Sequence, residues 1–388
     1  MHDAIVIGVG GMGSATLYHL AKSGASALGL EQFDVPHAFG SSHGSTRIIR
    51  LAYCEGPEYV PLLRAAYRHW RELEELTGES ILHVTGGLDI GPERSRTVEG
   101  SKWSCVSHGI EFEELDAAEV NGRFGGYSLP RSLKAIYQPD GGYLLSEVAV
   151  SAFARAATDL GADLLTGVRG RAWRSARNGI AVMTSRGEFR ARRLVVAAGA
   201  WTGGLCPPLR QWCRPERQVM LWTAPLQPEA FDPARFPIFN MEAPAGRYYG
   251  FPDHRGEGFK IGKYHHLQQA LESPDRLDRE CRPEDESVLR DAVRRYFPLA
   301  NGRTRRMAAC MFTNTPDEDF ILDRHPAQGD VFIAAGFSGH GFKFCSVVGR
   351  IMAGFCLGRP SRWDLGRFRL ASARTRSWRA SRGASRAT

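Results

Sequence analysis

The hexapeptide Gly8-Val9-Gly10-Gly11-Met12-Gly13 restricts the possible folds of this chain more than any other feature. It matches GxGxxG, in which the first glycine permits a tight turn, the second lets backbone approach a pyrophosphate, and the third lets a helix pack closely on a strand. Its setting fits: Ala4-Ile5-Val6-Ile7 is an apolar run predicted as a strand, small and apolar residues keep helical spacing from Met12 to Lys22, and Gly24 supplies a C-terminal stop. Ala27 to Leu30 reads as a second strand ending at Glu31, 18 residues past Gly13, where a carboxylate can accept both hydroxyls of a ribose. A pyrophosphate would sit at the positive end of the intervening helix. The opening therefore predicts an α/β chain with a Rossmann-like doubly wound sheet, binding a dinucleotide through Gly8, Gly10, Gly13 and Glu31.

Further along, helices are expected at about 57–76, with Tyr59, Leu62, Leu63, Ala66 and Trp70 on one face, at about 147–160, and at 283–296, which runs from acidic to basic. Strand signals fall around 84–90, at 162–165 and 180–184, and at Leu194 to Ala198 before Gly199. Residues 217–260, rich in aromatic and β-branched side chains broken by Pro and Gly, suggest antiparallel sheet. Near the end, Val331 to Ala335 reads as a strand, Gly336 to Gly341 as a glycine loop and Phe342 to Phe355 as a helix. No repeat and no long linker is seen, so the domains are expected to interleave. Residues 1–80, 146–214 and 312–370 are expected to form a discontinuous dinucleotide-binding domain, and 81–145 with 215–311 a mixed-sheet substrate domain.

Composition excludes several partners. The net charge of +8 suggests nucleic acid, yet seven of those charges are arginines from Arg367 onward, where no acid stands. That basicity belongs mainly to a tail over 371–388 rich in Ser, Ala and Arg, which reads as disordered and carries no stacking motif of a nucleic-acid site. No run approaches the roughly 18 apolar residues of a membrane helix. The eight cysteines include no CxxC pair, so no metal site is signalled, and with no secretory signal the chain is expected in the cytoplasm.

FAD and NAD share the fingerprint. The fingerprint's place at the extreme N-terminus favours FAD. So does the run Val195 to Trp201, which resembles a strand-and-glycine segment that flavin enzymes use near the same site.

Four ordered segments are similar to the monomeric sarcosine oxidase family, which includes N-methyltryptophan oxidase. They are Gly40-Ser41-Ser42-His43-Gly44-Ser45-Thr46-Arg47-Ile48-Ile49-Arg50; Tyr248-Tyr249-Gly250-Phe251-Pro252 with Phe259-Lys260-Ile261-Gly262; Ala309-Cys310-Met311-Phe312-Thr313; and Ala335-Gly336-Phe337-Ser338-Gly339-His340-Gly341-Phe342-Lys343-Phe344. The resemblance runs from residue 3 to about residue 370. It implies FAD attached covalently through Cys310, a substrate carboxylate held by Arg50 and Lys343, and a substrate site lined by Tyr249 and His340. It further implies that His43, Thr46 and Arg47 surround the flavin ring and that Lys260 promotes reaction with oxygen; Val168, Gly199 and Gly339 are counted with the cofactor residues. The implied reaction oxidises the C–N bond of an N-methyl, secondary or cyclic amino acid to an imine, with O2 reduced to H2O2, by a monomer.

The residues themselves leave alternatives open. Lys343, in the first turn of the expected helix, would be disfavoured by the helix dipole unless an anion joined it; the alternative is a lysine reaching solvent. Arg50 follows two isoleucines and, if buried, needs an anion, from substrate or from an internal acid. Lys260 alone would pass for a solvated strand lysine. Three departures from the family pattern bear on the substrate side chain: Phe312 stands where a Tyr is common, Asn240 where an apolar residue is common, and Lys263-Tyr264-His265-His266 leaves the histidine of that segment ambiguous. Two other functions also fit. One is a dehydrogenase of the same fold using another electron acceptor, which peroxide stoichiometry would separate; the other is a non-catalytic flavin-bearing protein, which bleaching by an amino acid would separate.

Overall fold

The computed structural model describes residues 1–371. The expected tail, apart from Ala371, lies outside the described residues. Arg367 and Arg369, counted above with the tail's charge, do not: Arg367 pairs with Glu58 and Asp319, and Arg369 with Asp323.

The N-terminal fingerprint folds as predicted. The strand His2–Ile7 leads through the glycine turn into the helix Gly11–Lys22 and on to the strand Ala27–Leu30. These strands join a parallel array in the order Asp163–Leu165, Ala27–Leu30, His2–Ile7, Gly187–Val196, Gln328–Ala335. The array is an apolar layer because Ile5, Ile7, Val6 and Leu194 to Val196 alternate between two buried faces. Helices Gly11–Lys22, Ser146–Asp159 and Cys345–Cys356 cover one of them.

A second eight-stranded sheet runs Thr304–Asn314, Arg214–Thr223, Phe259–Lys263, Gly246–Phe251, Ile238–Ala243, Gly87–Pro92, Leu133–Gln138, Glu113–Asp116. It is mixed, since Ile238–Ala243 pairs parallel with Gly87–Pro92 and the other pairs are antiparallel. One face carries Val219, Leu221, Ile261, Phe259, Tyr248 and Met241 and packs on the helix Pro283–Tyr296 through Leu289 and Val293. That helix begins at a proline, has Glu284, Asp285 and Glu286 in its first turn and Arg294 and Arg295 in its last, and so suits the helix dipole at both ends. Burying a side chain such as Leu289 or Val293 stabilises by about 1.5–3 kcal/mol.

Several expected boundaries shift. The helix of 57–76 is a 3-10 turn, Pro57–Tyr59, followed by an α-helix, Val60–Thr77. The strand signal around 84–90 divides into Leu82–Val84, in a small sheet with Thr46–Ile49 and Gly142–Leu145, and Gly87–Pro92 in the large one. Phe342–Phe344 is a 3-10 turn, and the α-helix starts only at Cys345. Lys343 therefore precedes that helix rather than sitting in its first turn. Among the described residues no helix is long and apolar enough to cross a membrane.

Candidate active site

Residues directly opposite each other across a sheet point their side chains to the same face. Cys310 lies opposite Gln218, and Trp222, four residues further along the same strand, lies opposite Lys260. Lys260 in turn faces Phe251, Tyr249 faces Asn240, and Asn240 faces Asp89. The register thus carries Cys310, Lys260, Tyr249, Asn240 and Asp89 onto one face, opposite the apolar face that meets Pro283–Tyr296. Alternation along each strand makes one side a core and leaves the other for chemistry.

A cleft of about 620 Å³ runs along the glycine turn. Gly8, Gly10, Glu31, Val168, Gly199 and Gly339 are among its lining residues. Gly13 is not; it lies beneath, where an added Cβ would come within 1.7 Å of the Gly8 carbonyl oxygen. Glu31 is buried at the end of its strand, where its carboxylate accepts from Val9 N at 2.8 Å and Phe33 N at 3.1 Å. A carboxylate fixed in this way beside backbone that can approach a phosphate fits the nucleotide half of FAD. Gly13→Ala should cost about 1–3 kcal/mol, since the strand or helix must move. Gly10→Ala would meet nothing nearer than Ser42 Oγ at 3.8 Å. It should keep the fold and lower cofactor content alone. Thermal melting and bound-flavin absorbance of the two variants check this contrast.

A smaller cavity of about 40 Å³ adjoins the cleft, and Arg47, Phe312, Gly339 and Phe342 line both. Tyr249, Tyr264, Cys310, His340 and Lys343 complete its chemically active lining. Cys310 is buried, and burial pushes its thiol up while Arg47 and Lys260 oppose the shift.

Lys260 is not a solvated strand lysine: it is buried. Its Nζ donates to Gly44 O at 2.6 Å, Thr46 O at 2.8 Å and Thr46 Oγ1 at 3.1 Å, and it lies 4.4 Å from the centre of the Phe251 ring. The turn that receives these bonds is anchored by Glu147, whose carboxylate accepts from Gly44 N at 2.6 Å and Ser45 N at 3.1 Å. Burial, then the charge of Arg47, holds Lys260 well below the usual lysine range. Arg47 is tied to the carbonyls of Ser41, His43 and Thr46. His43 is buried with no partner for Nε2 among the described residues, and burial followed by Arg47 lowers it to about 3. None of His43, Thr46 and Lys260 lines the cavities; the carbonyls of His43 and Thr46 accept from Arg47, which does.

Arg50 resolves toward internal acids. Its Nη2 donates to Glu55 at 3.0 Å and its Nε to Asp89 at 3.2 Å, all three side chains being buried. Asn240 Nδ2 donates to Asp89 at 2.8 Å, and Arg247 donates to Asn240 Oδ1 at 2.8 Å and to Glu55 at 2.5 Å. Burial works against the charge on Arg50, and Asp89 with Glu55 more than offsets it. Lys343 differs. It is buried and its Nζ donates to His340 O at 2.8 Å, but among the described residues no carboxylate lies within ion-pair distance. It does not reach solvent, and it faces the small cavity.

The histidine ambiguity also resolves. Tyr264 lines the cavity with Arg247 stacked 4.3 Å from its ring centre. His265 instead lies between Glu216 and Glu318, which raise it to about 10, and His266 bonds Asp285 at 3.0 Å.

Glu55, Asp89, Arg247 and Glu147 were not among the residues read from the sequence. Asp89 had a usable signal, a lone carboxylate within the apolar run Gly87-Leu88-Asp89-Ile90. The other three acquire their partners only from the tertiary fold.

The profile of the family described as FAD dependent oxidoreductase matches residues 3–354. A monomeric sarcosine oxidase of Bacillus sp. (strain B-0618) is 40% identical over 371 residues, covering 94% of this chain and 95% of that protein. An N-methyl-L-tryptophan oxidase of Yersinia pestis (strain Pestoides F) is 34% identical over 371 residues, covering 95% and 99%. Among solved structures, the open form of NikD, titled an unusual amino acid oxidase, superposes with a TM-score of 0.83 at 24% identity, covering 95% of this chain and 97% of that one. A glycine oxidase of Geobacillus kaustophilus gives 0.79 at 20% identity, covering 95% and 98%. These two likenesses show the fold, while the family profile and the sequence relatives show descent. The chain belongs to the FAD dependent oxidoreductase family, and within it to the flavin amine oxidases that include monomeric sarcosine oxidase and N-methyl-L-tryptophan oxidase.

Proposed function

We propose that this chain oxidises the C–N bond of an N-methyl, secondary or cyclic α-amino acid to an imine, with O2 reduced to H2O2. The observation that carries the substrate class is Lys343, a buried amine facing the small cavity with no carboxylate partner among the described residues to match it when it is charged. A buried charge needs a counter-ion, and a substrate carboxylate supplies one. Arg50 joins Lys343 at that carboxylate when Glu55 or Asp89 yields, and Tyr249, Tyr264 and His340 shape the rest of the substrate's surroundings.

Gly8, Gly10, Glu31, Val168, Gly199 and Gly339 would hold the nucleotide, with Gly13 setting the turn from beneath, and Arg47, fixed by the carbonyls of His43 and Thr46, would meet the ring end. Cys310 carries the covalent link. FAD would supply the two-electron acceptor at this site, with O2 as the final oxidant. Lys260, whose Nζ is held by the Gly44 and Thr46 oxygens although burial disfavours its charge, would be the cation that meets negative charge developing on oxygen. The interleaved domain division goes with this assignment, supported by the separate apolar cores of the two sheets. The relatives' printed name supports a monomer, and a cytoplasmic location rests on the sequence.

A peroxide-reading screen tests the substrate class. N-methyl, secondary and cyclic α-amino acids should turn over at least about 100-fold faster than the same amines without the carboxylate, because an unmatched buried cation costs several kcal/mol. Peroxide from the decarboxylated amines alone would overturn the assignment.

A further inference from the structure

The amine of an α-amino acid is protonated near neutral pH, and an ammonium has no lone pair to support loss of a hydride equivalent. Something near the cavity must take that proton. The candidates can be eliminated in turn. His340 has both ring nitrogens engaged, Nε2 donating to Glu318 O at 2.9 Å and Nδ1 accepting from Tyr53 Oη at 2.7 Å. Burial also holds it down at about 4. Burial pushes the phenols of Tyr249 and Tyr264 up, the latter to about 12, so neither is a phenolate. Arg47 is a guanidinium with donors and no acceptor, and Cys310 is assigned to the cofactor.

Lys343 remains. Its Nζ makes one hydrogen bond, to a carbonyl, and lies 5.3 Å from the centre of the Tyr53 ring, while the Arg50 guanidinium lies 4.8 Å from the same ring. The groups around it are Arg50, Tyr53, Cys54 and Glu55 from the segment after Thr46–Ile49, Arg247 from the large sheet, and His340 from its own loop. Glu55 is the carboxylate among them, and two guanidinium groups already share it. A proton on Lys343 is therefore poorly compensated until an anion arrives.

We propose that Lys343 takes the ammonium proton of the incoming zwitterionic amino acid and, now charged, pairs with that molecule's carboxylate; this rests on the amino-acid substrate proposed above. One proton moves from the substrate nitrogen to Nζ, no electrons move, and the total charge is unchanged. The substrate is left with a free amine lone pair and a matched carboxylate. The electrostatics agree: burial, then Arg50, lowers Lys343 to about 7, with Glu55 opposing. A bound carboxylate raises it again.

The test uses the flavin-loaded protein and cyclopentanecarboxylate, an amine-free counterpart of a cyclic amino acid. Calorimetry at pH 8 in two buffers of different ionisation enthalpy counts protons. Wild type should take up about 0.9 proton per site on binding, because a group at about 7 is mostly neutral at pH 8 and becomes charged in the complex. Lys343→Arg should bind the same acid with no uptake. Its anaerobic flavin reduction by an amino acid should rise about tenfold per pH unit between pH 7 and 9, following the substrate amine, whereas wild type is nearly flat. Wild-type uptake below about 0.2 proton, or full uptake in Lys343→Arg, would overturn the assignment, and the wild-type count decides even if the variant does not fold. If no amino acid reduces the flavin at any pH from 6 to 10, the amino-acid substrate itself fails.

Discussion

Acid precipitation is expected to leave the flavin of wild-type protein in the pellet, and Cys310→Ala is expected to release essentially all of it to the supernatant. Cys310 lies on the working face of the large sheet, buried beside Met220 and Trp222, and lines the cavity that adjoins the nucleotide cleft. A thioether there would tie the edge strand Thr304–Asn314 of that sheet to the cofactor. Truncation to Ala removes little volume from the core, so folding should survive and the loss should be specific to the link. Absorbance of pellet and supernatant after precipitation decides it. A wild-type supernatant that holds all the flavin means the cofactor is not covalently held.

Lys260→Met should slow reoxidation by O2 about 100-fold or more while leaving anaerobic reduction by substrate within about tenfold. A preorganised charge beside developing negative charge on oxygen contributes several kcal/mol. The structure adds a competing cost, because methionine takes one donor from each of the carbonyls of Gly44 and Thr46, which keep Thr46 N and Arg47 Nη1, at about 0.5–1.5 kcal/mol for each bond lost. The loop 43–46 is still anchored by Glu147, so a lower melting temperature is expected with a retained flavin. Stopped-flow absorbance records the two half-reactions separately. Slow reduction with normal reoxidation would move Lys260 to the substrate side.

The fold was legible where local chemistry dictates local structure. The glycine turn, its flanking strands and Glu31 are contiguous, so their geometry follows from sequence spacing. The helix Pro283–Tyr296 was legible because its proline start and its charge gradient are local signals. Boundaries failed where tertiary contacts set them. The single strand signal around 84–90 divides because Gly142–Leu145 captures Leu82–Val84 and Ile238–Ala243 captures Gly87–Pro92. Lys343 was expected on a helix because Phe342 to Phe355 reads as one helix after the glycine loop, but Phe344 N bonds Gly341 O in a 3-10 turn and the α-helix starts only at Cys345.

The site divided in the same way. Cys310, Lys260, Tyr249 and Lys343 were named from motifs, and the sheet register shows how three of them share a face. The partners of Arg50 were not legible, since Glu55, Asp89, Asn240 and Arg247 come from three strands and a loop far apart in sequence. Sequence showed only that a buried arginine needs an anion, and Asn240, read as a departure from the family pattern, turns out to bridge Asp89 and Arg247.

The central claim is oxidation of an amino acid with direct transfer of electrons to oxygen, and its most direct test is an anaerobic titration followed by admission of O2. An N-methyl, secondary or cyclic α-amino acid should bleach the flavin absorbance under nitrogen, and oxygen should restore it with one H2O2 formed per flavin reoxidised. Bleaching that oxygen does not reverse, but an added electron carrier does, would make the chain a dehydrogenase and contradict the account.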